Sequence, residues 1–134
     1  MISIYTTFLI VNVVKILVLI AHIKLFSWTI PNNKWSGGVS KIIQNFKPKL
    51  KSNDSPYIDF ILHPLSGMFY YLSYRYLSPN LKFPIPELMV ILESVTWEFL
   101  YEVWWWRPSI TDLIVTPIGG IILGKIFINL SKKF

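Results

Sequence analysis

A chain of 134 residues is one domain on length alone, and 53% of it is hydrophobic against 15% charged. A soluble domain averages about 25% charged residues, so this composition points away from water contact on every side, and the lack of cysteine excludes a disulfide framework and thiolate chemistry. The net charge of +6 raises nucleic acid as a partner, but the lysines gather beside apolar runs, as at Lys34, Lys41, Lys47, Lys49 and Lys51 and again at Lys132 and Lys133. That placement fits anionic lipid head groups, and no nucleic-acid partner is expected.

Residues 1–30 read as an apolar N-terminal helix that carries Lys15, His22 and Lys24. About 20 apolar residues cross a hydrocarbon core of roughly 30 Å. The stretch has neither the basic start nor the small-residue cleavage site of a signal peptide, so the helix is expected to stay on the protein. Lys15 then either snorkels to the surface or faces other helices, and a helix lying in the interface is the alternative. Residues 31–56 form a Lys-rich link with Gly37, Gly38, five lysines and Asp54. Within it, residues 39–46 have the pattern of a short amphipathic surface helix or of a solvated loop.

Residues 57–134 read as a three-helix membrane core. The second helix runs from Tyr57 to Leu77 and stops before Pro79 and Asn80. The third runs from Pro86, well suited to a first helical turn, to Trp106, and Arg107-Pro108 ends it. Ser109-Ile110-Thr111-Asp112 has the form of a helix start, with Ser109 as cap and Asp112 at the positive helix end. The fourth helix continues to Leu130. The expected fold is all-α: a polytopic helical membrane bundle of about four spans, with a basic link between the first and second. Lys34, Lys41, Lys47, Lys49, Lys51 and Arg107 would share one side, against Arg75, Lys82, Lys132 and Lys133, which leans toward a cytoplasmic link.

An ionised side chain in the middle of a bilayer costs about 2.5–3.5 kcal/mol, and a Leu or Ile returns only about 0.3–0.6 kcal/mol. The ionisable residues in these helices therefore need a reason, and their spacing supplies one. Asp59, His63, Gly67 and Tyr71 step by four along one helical face, opposite Ile58, Ile61, Leu62, Leu65, Phe69 and Leu72. Ser94, Glu98 and Glu102 do the same on the third helix. Glu93 lies about 140° around from Glu98, with either Arg75 as a partner or a place near the surface. On the fourth helix Asp112, Thr116, Gly120 and Gly124 continue the rule beside Gly119. Such small residues commonly let helices pack closely, and a backbone floor for a ligand is the sharper reading.

Three polar faces thus converge. His63, Glu98, Glu102 and Asp112 are the catalytic candidates. Asp59, Gly67, Arg75, Ser94, Trp97, Thr116, Gly119 and Gly120 are the binding candidates. Carboxylates one turn apart suit acid–base work or a proton relay. Ser66 or Ser94 could act as a nucleophile with His63, but no G-x-S-x-G elbow is present. His63 with Glu98, Glu102 or Asp112 could supply the three ligands of a zinc site, but with no H-E-x-x-H pattern no metal is assigned, and no cofactor is identified. Three readings stay open. The first is an intramembrane site that recognises or modifies a lipid or lipid-linked head group, beneath an aromatic belt at Trp104, Trp105 and Trp106. The second is a non-catalytic assembly or anchoring protein with a membrane-protein partner. The third is a proton or cation path in a homo-oligomer formed through Gly120 and Gly124.

Three motifs add a resemblance. They are His63-Pro64 with Gly67, Tyr70 and Arg75; Ser94-x-x-Trp97-Glu98-x-x-x-Glu102; and Ser109-x-x-Asp112-Leu113-Ile114-x-Thr116-Pro117-x-Gly119-Gly120-x-x-x-Gly124. With these, residues 58–125 resemble a bacterial family known only as a domain of unknown function and often found in envelope proteins. The resemblance implies a shared helical core in a bacterial membrane, the inner one being expected, and marks the same polar residues. It implies no reaction. The sequence departs from the family pattern at Lys125, where an acid is usual, and residues 1–56 have no counterpart in it.

Overall fold

The computed structural model describes residues 2–25, 43–51, 56–101, 103 and 107–134, with the backbone alone at 22, 23 and 25. Glu102, Trp104, Trp105, Trp106, Lys34, Lys41, Asp54 and the first half of the expected 39–46 helix lie outside the described residues.

Among the described residues the chain is all-helical. Its elements are α1 (Ile4–Leu25), α2 (His63–Leu77), α3 (Ile85–Thr96) and α4 (Ile110–Ser131). A π-helical turn, Ile58–Leu62, leads into α2, and a second, Trp97–Tyr101, follows α3. The local chemistry accounts for the boundaries. Pro86 sits in the first turn of α3, where the missing N–H costs nothing, whereas Pro64 lies inside the continuous helical stretch 56–77, just after its π turn, where its missing N–H interrupts the bonding. Ser109 is extended and its hydroxyl accepts the Asp112 N–H at 3.0 Å, the expected cap for α4.

The closest packing is between α2 and α4, which run parallel. A Cβ on Gly67 would stand 2.0 Å from the Thr116 carbonyl oxygen, and one on Gly120 would stand 2.2 Å from the Gly67 carbonyl carbon. One on Gly124 would meet the Tyr71 ring at 2.4 Å. The four-residue line of small side chains is therefore a packing seam. α3 returns antiparallel beside both helices and buries Val90 against Tyr70 and Tyr74. α1 begins where α2 ends: the Ile2 N–H donates to the Leu77 carbonyl at 3.2 Å, and the Thr7 and Ser78 hydroxyls are 2.8 Å apart.

This up-and-down order brings the starts of α2 and α4 to one end, where the basic segment 45–51 docks. Lys49 donates its N–H to Pro108 and accepts from Ile110, each at 2.9 Å. Arg107 Nε donates to the Lys47 carbonyl at 2.8 Å, and Asn45 Nδ2 to the Val103 carbonyl at 2.8 Å. At the opposite end Lys125 Nζ reaches Glu87 Oε1 at 3.0 Å.

Side chains are distributed inversely to a water-soluble domain. Leu9, Val13 and Leu17 of α1, Leu88, Ile91 and Val95 of α3, and Ile114, Ile118, Ile122 and Ile126 of α4 are exposed, as are Ile61, Leu62, Leu65 and Phe69 on the expected apolar side of the second helix. Thr7, Asn12, Lys15, Asp59, Glu93, Ser94, Glu98, Asp112 and Thr116 are buried. Two helices, in α1 and α4, are long and apolar enough to cross a membrane by length and composition.

Candidate functional site

Asp59, His63 and Asp112 meet where α2 and α4 begin. Ligand-type atoms of the three residues lie within 4.8 Å of one another. The His63 N–H bonds back to the Ile58 carbonyl, so the widened π turn falls between Asp59 and His63 on the line that the four-residue spacing marked. Such turns recur at functional sites. The second π turn carries Glu98, so each of them holds one buried carboxylate.

The shell around these residues is ordered by hydrogen bonds. Glu98 Oε2 accepts the Ser109 N–H at 3.1 Å. The Ser109 hydroxyl donates to Asp112 Oδ2 at 2.6 Å, leaving Asp112 Oδ1 as the oxygen that faces His63 Nε2 at 3.6 Å. The other ring nitrogen, Nδ1, is 3.3 Å from the Thr116 hydroxyl. Asp59 Oδ1 is buried with no hydrogen-bond partner among the described residues, an arrangement that normally costs free energy. Two carboxylates and one imidazole, held by two helices and largely buried, can bind a cation, accept donors from a polar head group, or exchange protons.

A second polar cluster is separate and more fully bonded. Lys15 of α1 donates to the Glu93 carboxylate on α3 and, at 2.9 Å, to the Glu93 backbone carbonyl. The Tyr74 hydroxyl donates to Glu93 Oε1 at 2.5 Å, and Asn12 Nδ2 to Oε2 at 3.2 Å. The Tyr101 hydroxyl closes the set on Asn12 Oδ1 at 3.0 Å. Lys15 therefore faces the bundle and does not snorkel.

The structure corrects three expectations, the first being an oligomer face at Gly120 and Gly124, which instead pack against Gly67 and Tyr71 of the same chain. Glu93 pairs with Lys15 and not with Arg75, because it faces α1; Arg75, at the far end of α2, donates to the Leu81 carbonyl at 3.1 Å. Neither serine has the posture of a nucleophile paired with His63. Ser66 is exposed and donates to the Leu62 carbonyl at 2.9 Å, and Ser94 donates to the Val90 carbonyl at 2.9 Å. Both are bonds to the carbonyl four residues earlier, a frequent fate of serine inside a helix.

The remaining candidates divide by place. Thr116 belongs to the His63 centre. Gly67, Gly119 and Gly120 lie in the α2–α4 seam, a Cβ on Gly119 meeting the Pro64 Cβ at 2.9 Å. Trp97 stands on the second π turn with its ring 5.9 Å from that of Tyr101. Glu102 falls outside the described residues. Sequence reasoning missed Asn12, Tyr74 and Tyr101, and gave Ser109 no role beyond the cap. The available signal was in α1, where Thr7, Val11, Lys15 and Leu19 step by four and all are buried.

A family model described as a domain of unknown function (DUF3943) matches residues 50–134. That stretch contains both π turns, α2 to α4 and every residue of the His63 centre, while α1 and Lys15 fall outside it. Comparison with curated proteins and with solved structures finds no match.

Proposed function

Taking as premise that the chain belongs to the DUF3943 family, we propose that it is a multi-pass membrane protein whose His63 centre recognises or modifies the polar head group of a lipid or lipid-linked molecule. The aliphatic exterior and polar interior support the membrane setting, since hydrocarbon rewards that distribution and water penalises it. Besides α1 and α4, the helical stretches 56–77 and 85–101 are about 33 Å and 25 Å long at 1.5 Å per residue, lengths suited to spans. A four-span bundle in a bacterial inner membrane accommodates all of them.

The observation that carries the reading is the docking of the basic segment beside the centre. Lys47, Lys49 and Arg107 lie on segments that bond to each other at the start of α4, next to the buried Asp59, His63 and Asp112. A head group at this end meets cations for its phosphate and carboxylates for its hydroxyl or ammonium donors.

Native mass spectrometry of the detergent-purified protein tests this. Wild type is expected to carry a defined lipid that folded His63→Ala and Asp112→Asn variants lose. If all three carry the same lipid in the same amount, the centre is not its site. The Glu93 network favours a second reading, in which buried polar groups only join helices. It gains if the variants lose helicity and wild type holds no lipid.

A further inference from the structure

We infer that Asp59, His63 and Asp112 form a binding site for a single divalent transition-series cation of the zinc type. This goes beyond the head-group reading and does not depend on it. Three observations converge on the site. The donor set is one imidazole and two carboxylates, with ligand atoms inside 4.8 Å of one another. Ligands about 2.1 Å from a tetrahedral ion stand about 3.4 Å apart, and His63 Nε2 and Asp112 Oδ1 are already at 3.6 Å. The Asp59 oxygen, within 4.8 Å of both, supplies the third ligand.

The second observation is Asp59 itself. It is 8% exposed, and its Oδ1 is buried without a hydrogen-bond partner among the described residues. A buried anionic oxygen is costly when unsatisfied, and a cation between it and Asp112 satisfies both carboxylates at once. Without one, two carboxylates this close repel each other and any incoming phosphate.

The third is the outer shell. Metal-binding histidines usually engage their second nitrogen with a partner that fixes the ring. Thr116 Oγ1 stands 3.3 Å from His63 Nδ1, which leaves Nε2 toward Asp112. Asp112 is held the same way, its Oδ2 by the Ser109 hydroxyl at 2.6 Å, with Ser109 in turn held by Glu98 at 3.1 Å. On His63 and Asp112 the atoms that face each other are thus the ones opposite these contacts. Three protein ligands leave a tetrahedral ion one open position, which water or a head-group oxygen would take.

The test is competition of the purified, full-length protein in detergent against a zinc-responsive chelator, with Zn2+ as the only metal. Far-UV circular dichroism confirms the fold of each variant. Wild type is expected to bind one Zn2+ per chain, and Asp59→Asn and His63→Gln to weaken binding by at least about tenfold. Glu87→Gln, at the opposite end of the bundle, is expected to bind as wild type does. Asp59→Asn is the decisive variant, because no hydrogen bond is seen at Asp59 Oδ1; His63→Gln takes its place if circular dichroism shows Asp59→Asn unfolded.

The proposal is overturned if wild type binds no Zn2+, if Asp59→Asn and His63→Gln bind it unchanged, or if Glu87→Gln loses as much as they do. Lipid retention is read separately, so zinc without lipid, or lipid without zinc, shows which of the two proposals has failed.

Discussion

Lys15 and Glu93, 78 positions apart in the chain, meet inside the bundle with side-chain exposures of 2% and 0%. The pair joins α1 to a core that otherwise folds from a contiguous stretch of sequence. Tyr74, Asn12 and the Glu93 backbone carbonyl supply the remaining bonds, so charge and lone pairs are satisfied together. Lys15 also lies 5.1 Å from the Tyr70 ring centroid and 5.6 Å from that of Tyr101, which adds cation–π contact.

Replacing Lys15 with Met leaves the Glu93 carboxylate buried without its cation. Breaking one side of such a pair typically costs about 3–5 kcal/mol. The double variant Lys15→Met/Glu93→Gln removes both charges and is expected to recover most of that loss. Unfolding by sodium dodecyl sulfate titrated into mild detergent measures both, and a single variant that unfolds at the wild-type midpoint would show that this pair does not hold α1.

Gly120→Ala and Gly67→Ala force a methyl group into backbone at 2.2 Å and 2.0 Å. Backbone cannot rotate away as a side chain can, so both should cost at least about 1–3 kcal/mol, the usual range for overpacking. Gly119→Ala meets only the Pro64 ring and should be milder. Ranking the three by unfolding midpoint checks the seam; equal effects would mean that α2 and α4 are farther apart than described.

Ser109→Ala removes the cap of α4 together with the bond that holds Asp112 Oδ2. Loss of such a cap costs about 0.5–2 kcal/mol. Ser109→Asn, which can still cap, should keep most of that stability. If Asn is as damaging as Ala in the same unfolding assay, the serine matters for something other than its acceptor oxygen.

Lys125→Ala makes the contrasting case. Its contact with Glu87 spans 3.0 Å, but the lysine is 48% exposed. An exposed pair contributes about 0.2–1 kcal/mol, so the variant should unfold close to wild type. A loss as large as that of Lys15→Met would assign the far end of the bundle a structural weight its exposure does not explain.

What could be read in the sequence follows the range of the interaction. Asp59, His63, Gly67 and Tyr71 share a face because helical geometry is local, and the same holds for Asp112, Thr116, Gly120 and Gly124. Two four-residue lines were enough to bring His63 and Asp112 together on paper, and the Ser109 cap was evident because a cap is written within four residues. The Lys15–Glu93 pair was not legible. Nothing local ties a lysine in the first helix to one particular acid in the third, and Arg75, nearer in sequence, is as open a candidate. The π turns were equally hidden, since an extra residue in a turn is a backbone response to packing and leaves no residue-type signature. Without them, Asp59 reads as an accessory to His63 and not as a third donor of equal standing.

The parallel course of α2 and α4 has a consequence for biosynthesis. Two parallel neighbours cannot be consecutive, so all of α3 must be made and turned back before they touch. A nascent chain that ends before residue 109 has Asp59 and His63 but lacks Asp112, Thr116 and the glycines that draw the two helices together. Contacts between distant parts of a chain form late, so the centre cannot assemble before α4 settles against α2. A chain halted before α4 holds two of the three donors of the centre and none of the α4 glycines that pack against α2.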